Sequence, residues 1–284
     1  MAAGASTLIV DHVTLAGADL RCLCDEFTAT TGIAVEYGGP HANHATEMAL
    51  ASFFDGSYIE LIGIRPQADA EAVDVHPWAP FLQADAGPCA FALGVPDLRT
   101  EMQRLRRAGI PVGEATKSGR TRPDGVALRW ETAAIGAGPL GAFFPFLIQD
   151  LTPRHQRVYP SGDAATKEYD GVSLVVIAVR DLAQATALYR QAFDLPQPLR
   201  ERDLSFGAEL AWFESAPVAL ATPLEADSWL AQRLARFGES PCAILLAPHN
   251  DIQQHTDLQW FGKRLTWFSE GPFHWRIGAW SVAR

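Results

Sequence analysis

The sequence predicts an α+β protein built from four copies of one strand–helix–strand-pair unit, arranged as two halves. Two observations carry this reading. A β-rich run, a polar turn ending in Asp-Leu or Asp-Ile, and an amphipathic helical pattern recur as HVTLAGADL (12–20), CAFALGVPDL (89–98), GVSLVVIAVRDL (171–182) and CAILLAPHNDI (242–252). Two of these openings also share a Pro-Cys-Ala start, in GPCA (87–90) and SPCA (240–243), which divides the repeats into an early and a late pair.

Each element has a local cause. The aspartates at 19, 97, 181 and 251 are placed to cap a helix, where a side-chain oxygen accepts from the first free helix N–H groups. Gly32, Gly109 and Pro196 are ordinary terminators for the first three helices. Alternating or continuous apolar runs then read as strands: 46–64, 125–135 with 142–149, 206–215 with 218–222, and 263–270 with 274–282. The polar, Pro- and Gly-containing stretch 152–170 marks the boundary, giving an N-terminal domain over 1–158 and a C-terminal domain over 166–284.

Bulk properties exclude several classes. The chain has 284 residues, of which 48% are hydrophobic and 20% charged, the composition of a soluble globular protein. A formal charge of −10 argues against nucleic-acid binding, which needs a basic face. No apolar run reaches the roughly 20 residues of a membrane span, and the N-terminus lacks a cationic signal region. Cys22, Cys24, Cys89 and Cys242 show no metal-finger or CxxC spacing, so a reduced, cytoplasmic protein is expected.

One residue breaks the apolar pattern. In GSYIELIGI (56–64), Tyr58, Glu60 and Ile62 share one strand face and Ile59 and Leu61 the other. A charge on a buried face costs several kcal/mol unless it is paired, so Glu60 calls for a partner: an arginine, hydroxyls or a metal ion.

This order of elements resembles the vicinal oxygen chelate superfamily, which includes the glyoxalases and extradiol dioxygenases. Residues 8–158 look most like its glyoxalase-like group, through GGPHANHAT (38–46), RTRPDGVALRW (120–130) and PFLIQ (145–149). The resemblance implies four βαβββ modules forming two glyoxalase-like halves with curled mixed sheets. It also implies a divalent metal (Zn, Fe, Mn or Ni) held by a first-strand and a last-strand ligand of each module. Carried over, those positions fall on His12 and Glu60. In module two they fall near Cys89 or Ala90 and near Phe146, and in module three on Gly171 and Ala219. The C-terminal half thus lacks site residues.

His41, His44 and Glu47 lie close enough in sequence to supply missing donors. The set His12, His41 and Glu60 would leave positions open for substrate, as catalytic zinc and non-haem iron sites do. Glu60 and His12 are the expected catalytic residues, with Tyr58 on the same face. Arg122 and Arg129 are expected to hold a substrate anion, because a guanidinium fork matches a carboxylate, and Arg120 is a third candidate. The tryptophans after residue 200 fit an aromatic pocket, a core or a subunit interface. His274, and His76 in the connection between modules one and two, are weaker candidates. The expected function is a metal-dependent lyase or isomerase acting on a small oxygenated substrate. The alternatives are an Fe(II)-dependent dioxygenase and a non-catalytic small-molecule binder, and a homodimer is one expected assembly.

Overall fold

The computed structural model describes residues 8–158, 168–250, 258–268 and 275–281. Within them the first half runs β1 (Val10–Gly17), α1 (Leu20–Thr31), β2 (Glu36–Pro40), β3 (Thr46–Ser52) and β4 (Tyr58–Ile64). It continues through α2 (Ala70–Asp74), α3 (Ala79–Leu82), β5 (Gly87–Gly94), α4 (Leu98–Arg107), β6 (Thr116–Thr121), β7 (Ala127–Ala133), β8 (Phe146–Asp150) and α5 (Arg154–Arg157). The second half runs β9 (Tyr169–Ala178), α6 (Leu182–Phe193), β10 (Leu199–Asp203), β11 (Ala208–Trp212), β12 (Val218–Pro223) and α7 (Trp229–Phe237). It closes with β13 (Ser240–Pro248), β14 (Gln259–Trp260), β15 (Lys263–Trp267) and β16 (Arg276–Ser281).

The repetition is carried into the topology. One sheet has the order β2-β3-β4-β1-β5-β8-β7-β6 and the other β10-β11-β12-β9-β13-β16-β15-β14, the same order twice. Each is a nearly closed, curled mixed sheet, so the expected α+β architecture of two glyoxalase-like halves is observed. In both sheets the first strands of the two modules pair antiparallel at the centre, and each pairs parallel with the last strand of its own module. Arg120 bridges the seam of the first sheet by donating from β6 to the carbonyl of Gly38 on β2. Across the other seam the Trp260 indole donates to Asp203.

Capping explains where the helices start. Asp19, Asp97 and Asp181 accept from the N–H groups of Cys22, Thr100 and Gln184. Gly32 ends α1 at φ 73°, a left-handed conformation that glycine adopts without a Cβ clash. The third helix stops earlier than Pro196 suggests: it ends at Phe193, with Asp194 in the left-handed region at φ 52°. The cap expected at Asp251 and the helix expected after it fall outside the described residues. One helix went unread in the sequence. α7 has a Ser228 cap, buried Leu230, Leu234 and Phe237 at helical spacing, and Gly238 behind it. No described helix is long and apolar enough to cross a membrane.

Strand alternation sorts the core into separate faces. Val13, Leu15, Ile59, Leu61, Val175 and Ile177 point from both sheets into one shared cluster with residues of α1, α4 and α6. The opposite, concave faces form two cups of different character. In the second half, Leu174, Val176, Leu210, Ala219 and Leu245 line the cup, and α7 packs into it with Leu230 and Leu234. Trp260 and Trp280 are fully buried there and Trp267 packs beside them, so these tryptophans are core rather than an open pocket. Arg233 of α7 is also fully buried. It donates to the carbonyls of Ala86 (2.9 Å), Pro88 and Pro241, tying α7 to the openings of β5 and β13.

Candidate functional site

The first cup differs by one polar cluster. His12 and Thr14 on β1 and Tyr58 and Glu60 on β4 are buried on its concave face, where Thr14 pairs in register with Glu60 and His12 with Tyr58. At the positions equivalent to His12 and Glu60, module two has only apolar groups. Ala90 precedes its cap Asp97 by the interval that separates His12 from Asp19, and Phe146 stands on β8, with its ring 5.4 Å from that of His12. The same interval before Asp181 corrects the alignment of module three. The counterpart of His12 is Leu174, not Gly171, and the matching register of Val176 with Ala219 agrees.

Glu60 is partnered on both oxygens. The hydroxyl of Thr14 donates to Oε2 at 3.0 Å, and Nε2 of His12 lies 3.7 Å from the same oxygen. Nε2 of His41, from the turn between β2 and β3, lies 3.6 Å from Oε1. Burial by itself would raise the Glu60 carboxyl pKa. The His41 and His12 imidazoles beside it and the Thr14 hydroxyl bring it down to about 2 instead.

Each imidazole is anchored through its other nitrogen. Nδ1 of His12 meets Asp11 Oδ1 at 2.6 Å, and Nδ1 of His41 meets Thr46 Oγ1 at 2.8 Å, so both rings present Nε2 to Glu60. Tyr58 stacks on His12 at 4.7 Å with an interplanar angle of 19°, and its hydroxyl accepts from Arg157 at 2.8 Å. Burial drives the Tyr58 phenol pKa far up, so it stays protonated. Arg157 also donates to both oxygens of Asp11 and to Asp150. Burial works against the Asp11 charge, yet Arg157 and His12 outweigh it and hold the carboxyl well below its usual range. Neither Asp11 nor Arg157 was singled out in the sequence. An Asp-His pair opening the strand was the available signal for the first, whereas α5 is too short to announce the second.

Several sequence candidates stand elsewhere. Glu47 lies on the opposite face of β3 from Met48 and Leu50, where it accepts from the Tyr37 hydroxyl at 2.9 Å. His44 is an exposed turn residue at φ 59°. Arg129 is exposed on the face of β7 shared with Glu131 and Ala133, so strand alternation turns it away from the cup. Arg122 lies beyond β6, paired with Asp124 at 2.8 Å and donating to the Gln156 carbonyl at 3.0 Å. The arginine of that stretch on the cup face is Arg120, whose guanidinium is engaged with the Gly38 and Arg157 carbonyls. His76 lies between α2 and α3, half-buried. Burial lowers its pKa to about 4, reinforced by His41 and partly opposed by Glu60. His274 lies outside the described residues.

The expected trio of His12, His41 and Glu60 therefore meets, but as two imidazoles on different oxygens of one carboxylate. Among the described residues no three His, Cys, Asp or Glu side chains form a ready metal cage. The donor chemistry still suits a divalent ion. Two imidazole Nε2 atoms and a carboxylate are the ligand types of catalytic zinc and non-haem iron, and partners on Nδ1 are the usual outer support. Ala90 and Phe146 add no donors, so further coordination positions would be left to substrate or water.

Comparison with solved structures finds the same architecture. A hypothetical protein from Staphylococcus aureus matches with a TM-score of 0.65 at 13% identity, over 97% of this chain and 100% of that one. A variant of 4-hydroxymandelate synthase from Streptomyces coelicolor matches with a TM-score of 0.52 at 14% identity, over 84% of this chain and 70% of that one. At these identities the likeness is one of fold. Comparison with curated proteins finds no match. The glyoxalase-like domain family matches residues 10–193, from the strand that carries His12 through the end of α6. On a match spanning more than half its length, this chain belongs to the glyoxalase-like domain family.

Proposed function

We propose that this protein is a divalent-metal-dependent lyase or isomerase acting on a small oxygenated substrate in the first cup, with His12, His41 and Glu60 as the metal ligands. One observation carries the reading: two imidazoles, each anchored at Nδ1, present Nε2 to the two oxygens of a buried, ionised glutamate. A bound divalent ion supplies Lewis-acid polarisation of neighbouring substrate oxygens and stabilises the negative charge that develops on them.

The chain's own residues set the conditions. Asp11 and Thr46 fix the ring orientations, and Thr14 holds Oε2 of Glu60. With its carboxyl held near 2, Glu60 acts as a charged ligand rather than a proton acceptor. Met48, Leu50, Ile62, Trp78 and Phe146 supply an apolar wall that excludes water and suits a substrate with an apolar body. A second reading, an Fe(II)-dependent oxygenase, draws on the composition of the donor set, two histidines and one carboxylate.

Elemental analysis of the purified protein beside His12→Ala and Glu60→Gln tests the proposal. Near-stoichiometric divalent metal in the parent and its loss from both folded variants is the expected result. Iron together with substrate-dependent oxygen uptake selects the oxygenase. No metal uptake by the parent, even after reconstitution, overturns both readings and leaves a small-molecule binder.

A further inference from the structure

The connection from β4 to β5 does more than link two modules. Trp78 and, from α3, Phe81 and Leu82 pack into the first cup with Met48, Tyr58 and Phe146. Trp78 is fixed there because its indole N–H donates to the Leu140 carbonyl at 2.9 Å. The backbone N–H of Trp78 donates in turn to Nδ1 of His76 at 3.2 Å, and the two rings lie 5.5 Å apart. An Nδ1 that accepts a hydrogen bond carries no proton, so the His76 ring is neutral with its hydrogen on Nε2. Tyr58, which stacks on His12, lies in the same cluster as Trp78, so the His76 ring stands at the wall of the candidate site. Nε2–H has no acceptor among the described residues.

We propose that His76 is a substrate-binding residue whose Nε2–H donates to an oxygen of the molecule held over Glu60, stabilising negative charge there. The assignment rests on the metal-dependent reading above and extends it to a residue outside the repeated modules. A neutral, pre-oriented imidazole suits this role. It offers a fixed donor where charge develops and adds no second cation beside the two histidines that face Glu60. The Trp78 backbone sets the tautomer and the Trp78 indole sets the position, so the donor comes with the packing of α3.

Oxalate, with adjacent anionic oxygens, is a suitable probe. Calorimetric titration of oxalate into the full-length protein loaded with Mn(II) compares the parent with His76→Phe, which has no donor, and His76→Gln, whose amide restores one. The expected result is a loss of about tenfold or more in oxalate affinity for His76→Phe, the scale of one lost hydrogen bond. His76→Gln stays within about threefold of the parent, a difference smaller than such a bond, and both variants keep the parent's Mn(II) stoichiometry. Oxalate affinity unchanged in His76→Phe, or no oxalate binding by the parent, overturns the assignment while leaving the metal ligands standing. If the parent takes up no Mn(II), the metal reading fails and the assignment resting on it falls with it, so the Mn(II) stoichiometry tells the two failures apart. Imidazole ¹⁵N shifts of the parent give a check independent of variant folding: protonation at Nε2 alone supports the assignment, and protonation at Nδ1 overturns it.

Discussion

Asp11 holds Nδ1 of the next residue, His12, at 2.6 Å although neighbours on a strand ordinarily point to opposite faces. The register of β1 against β5 shifts between Val10 and His12, and this irregularity at Asp11 turns its carboxylate toward the ring. The same carboxylate receives Arg154 and Arg157, so a buried ion network fixes the orientation of the imidazole.

Asp11→Asn is therefore expected to act on both stability and the site. It removes the negative charge beside buried Arg157 and frees the His12 tautomer. Breaking one partner of a buried pair costs about 3–5 kcal/mol, and losing an outer-sphere partner lowers metal affinity about 10–100-fold. Urea denaturation and metal titration check the two effects separately. A variant that loses stability but keeps the parent's metal affinity would show that Asp11 serves Arg157 alone.

Glu60 predicts how acid acts on the fold. Its carboxyl titrates at about 2 when folded against 4.5 unfolded. A depressed folded value means the contribution is fully present above about pH 4.5 and is lost as pH falls toward 2. At 1.36 kcal/mol per pKa unit its ceiling is about 3 kcal/mol. Between pH 6 and 4.5 Glu60 leaves the urea midpoint unchanged, and from pH 4.5 to 3 the midpoint should fall more steeply for the parent than for Glu60→Gln. Equal slopes would remove Glu60 from the acid response.

The repeated grammar made the fold legible because its signals are local: an Asp cap, a helix stop and an alternating strand each depend on a few neighbours. Glu60 was legible for a related reason, since a charged residue in an apolar strand needs a partner, whereas His12 was reached through the family resemblance. What escaped the sequence depends on distant chain. The face of a strand occupied by Arg129 rather than Arg120 is set by register against β6 and β8, and the placement of Arg157 by where α5 lands. α7 has regular spacing but starts at a Ser228 cap, outside the Asp-Leu turn that marks the repeated helices.

The arginine assignment gives a sharp contrast. Arg120→Ala removes the donor that spans β6 and β2 and leaves the Gly38 carbonyl without it, at a cost of about 1–3 kcal/mol. Arg129→Ala, on an exposed position facing away from the cup, should stay within about 0.5 kcal/mol and leave oxalate binding unchanged. Denaturation midpoints and the oxalate titration measure both. Weakened oxalate binding in the Arg129 variant would return that side chain to the site.

Arg233 tests how the halves are joined. The two Pro-Cys-Ala openings that divided the sequence meet at this residue, since the carbonyls of Pro88 and Pro241 both accept from its guanidinium, along with Ala86. Burial lowers its pKa to about 10 but leaves it charged at neutral pH. Arg233→Met fills similar volume yet strands those carbonyls, each at about 1–3 kcal/mol. Arg233→Lys keeps the charge, but a compact ammonium cannot reproduce the planar fork, so it should recover only part of the loss. Denaturation of both variants, with metal content as the control, is the measurement. A large fall in midpoint with the metal retained makes Arg233 a tie between the halves. Full recovery in the lysine variant would mean that charge, not the reach of the fork, is what the junction requires.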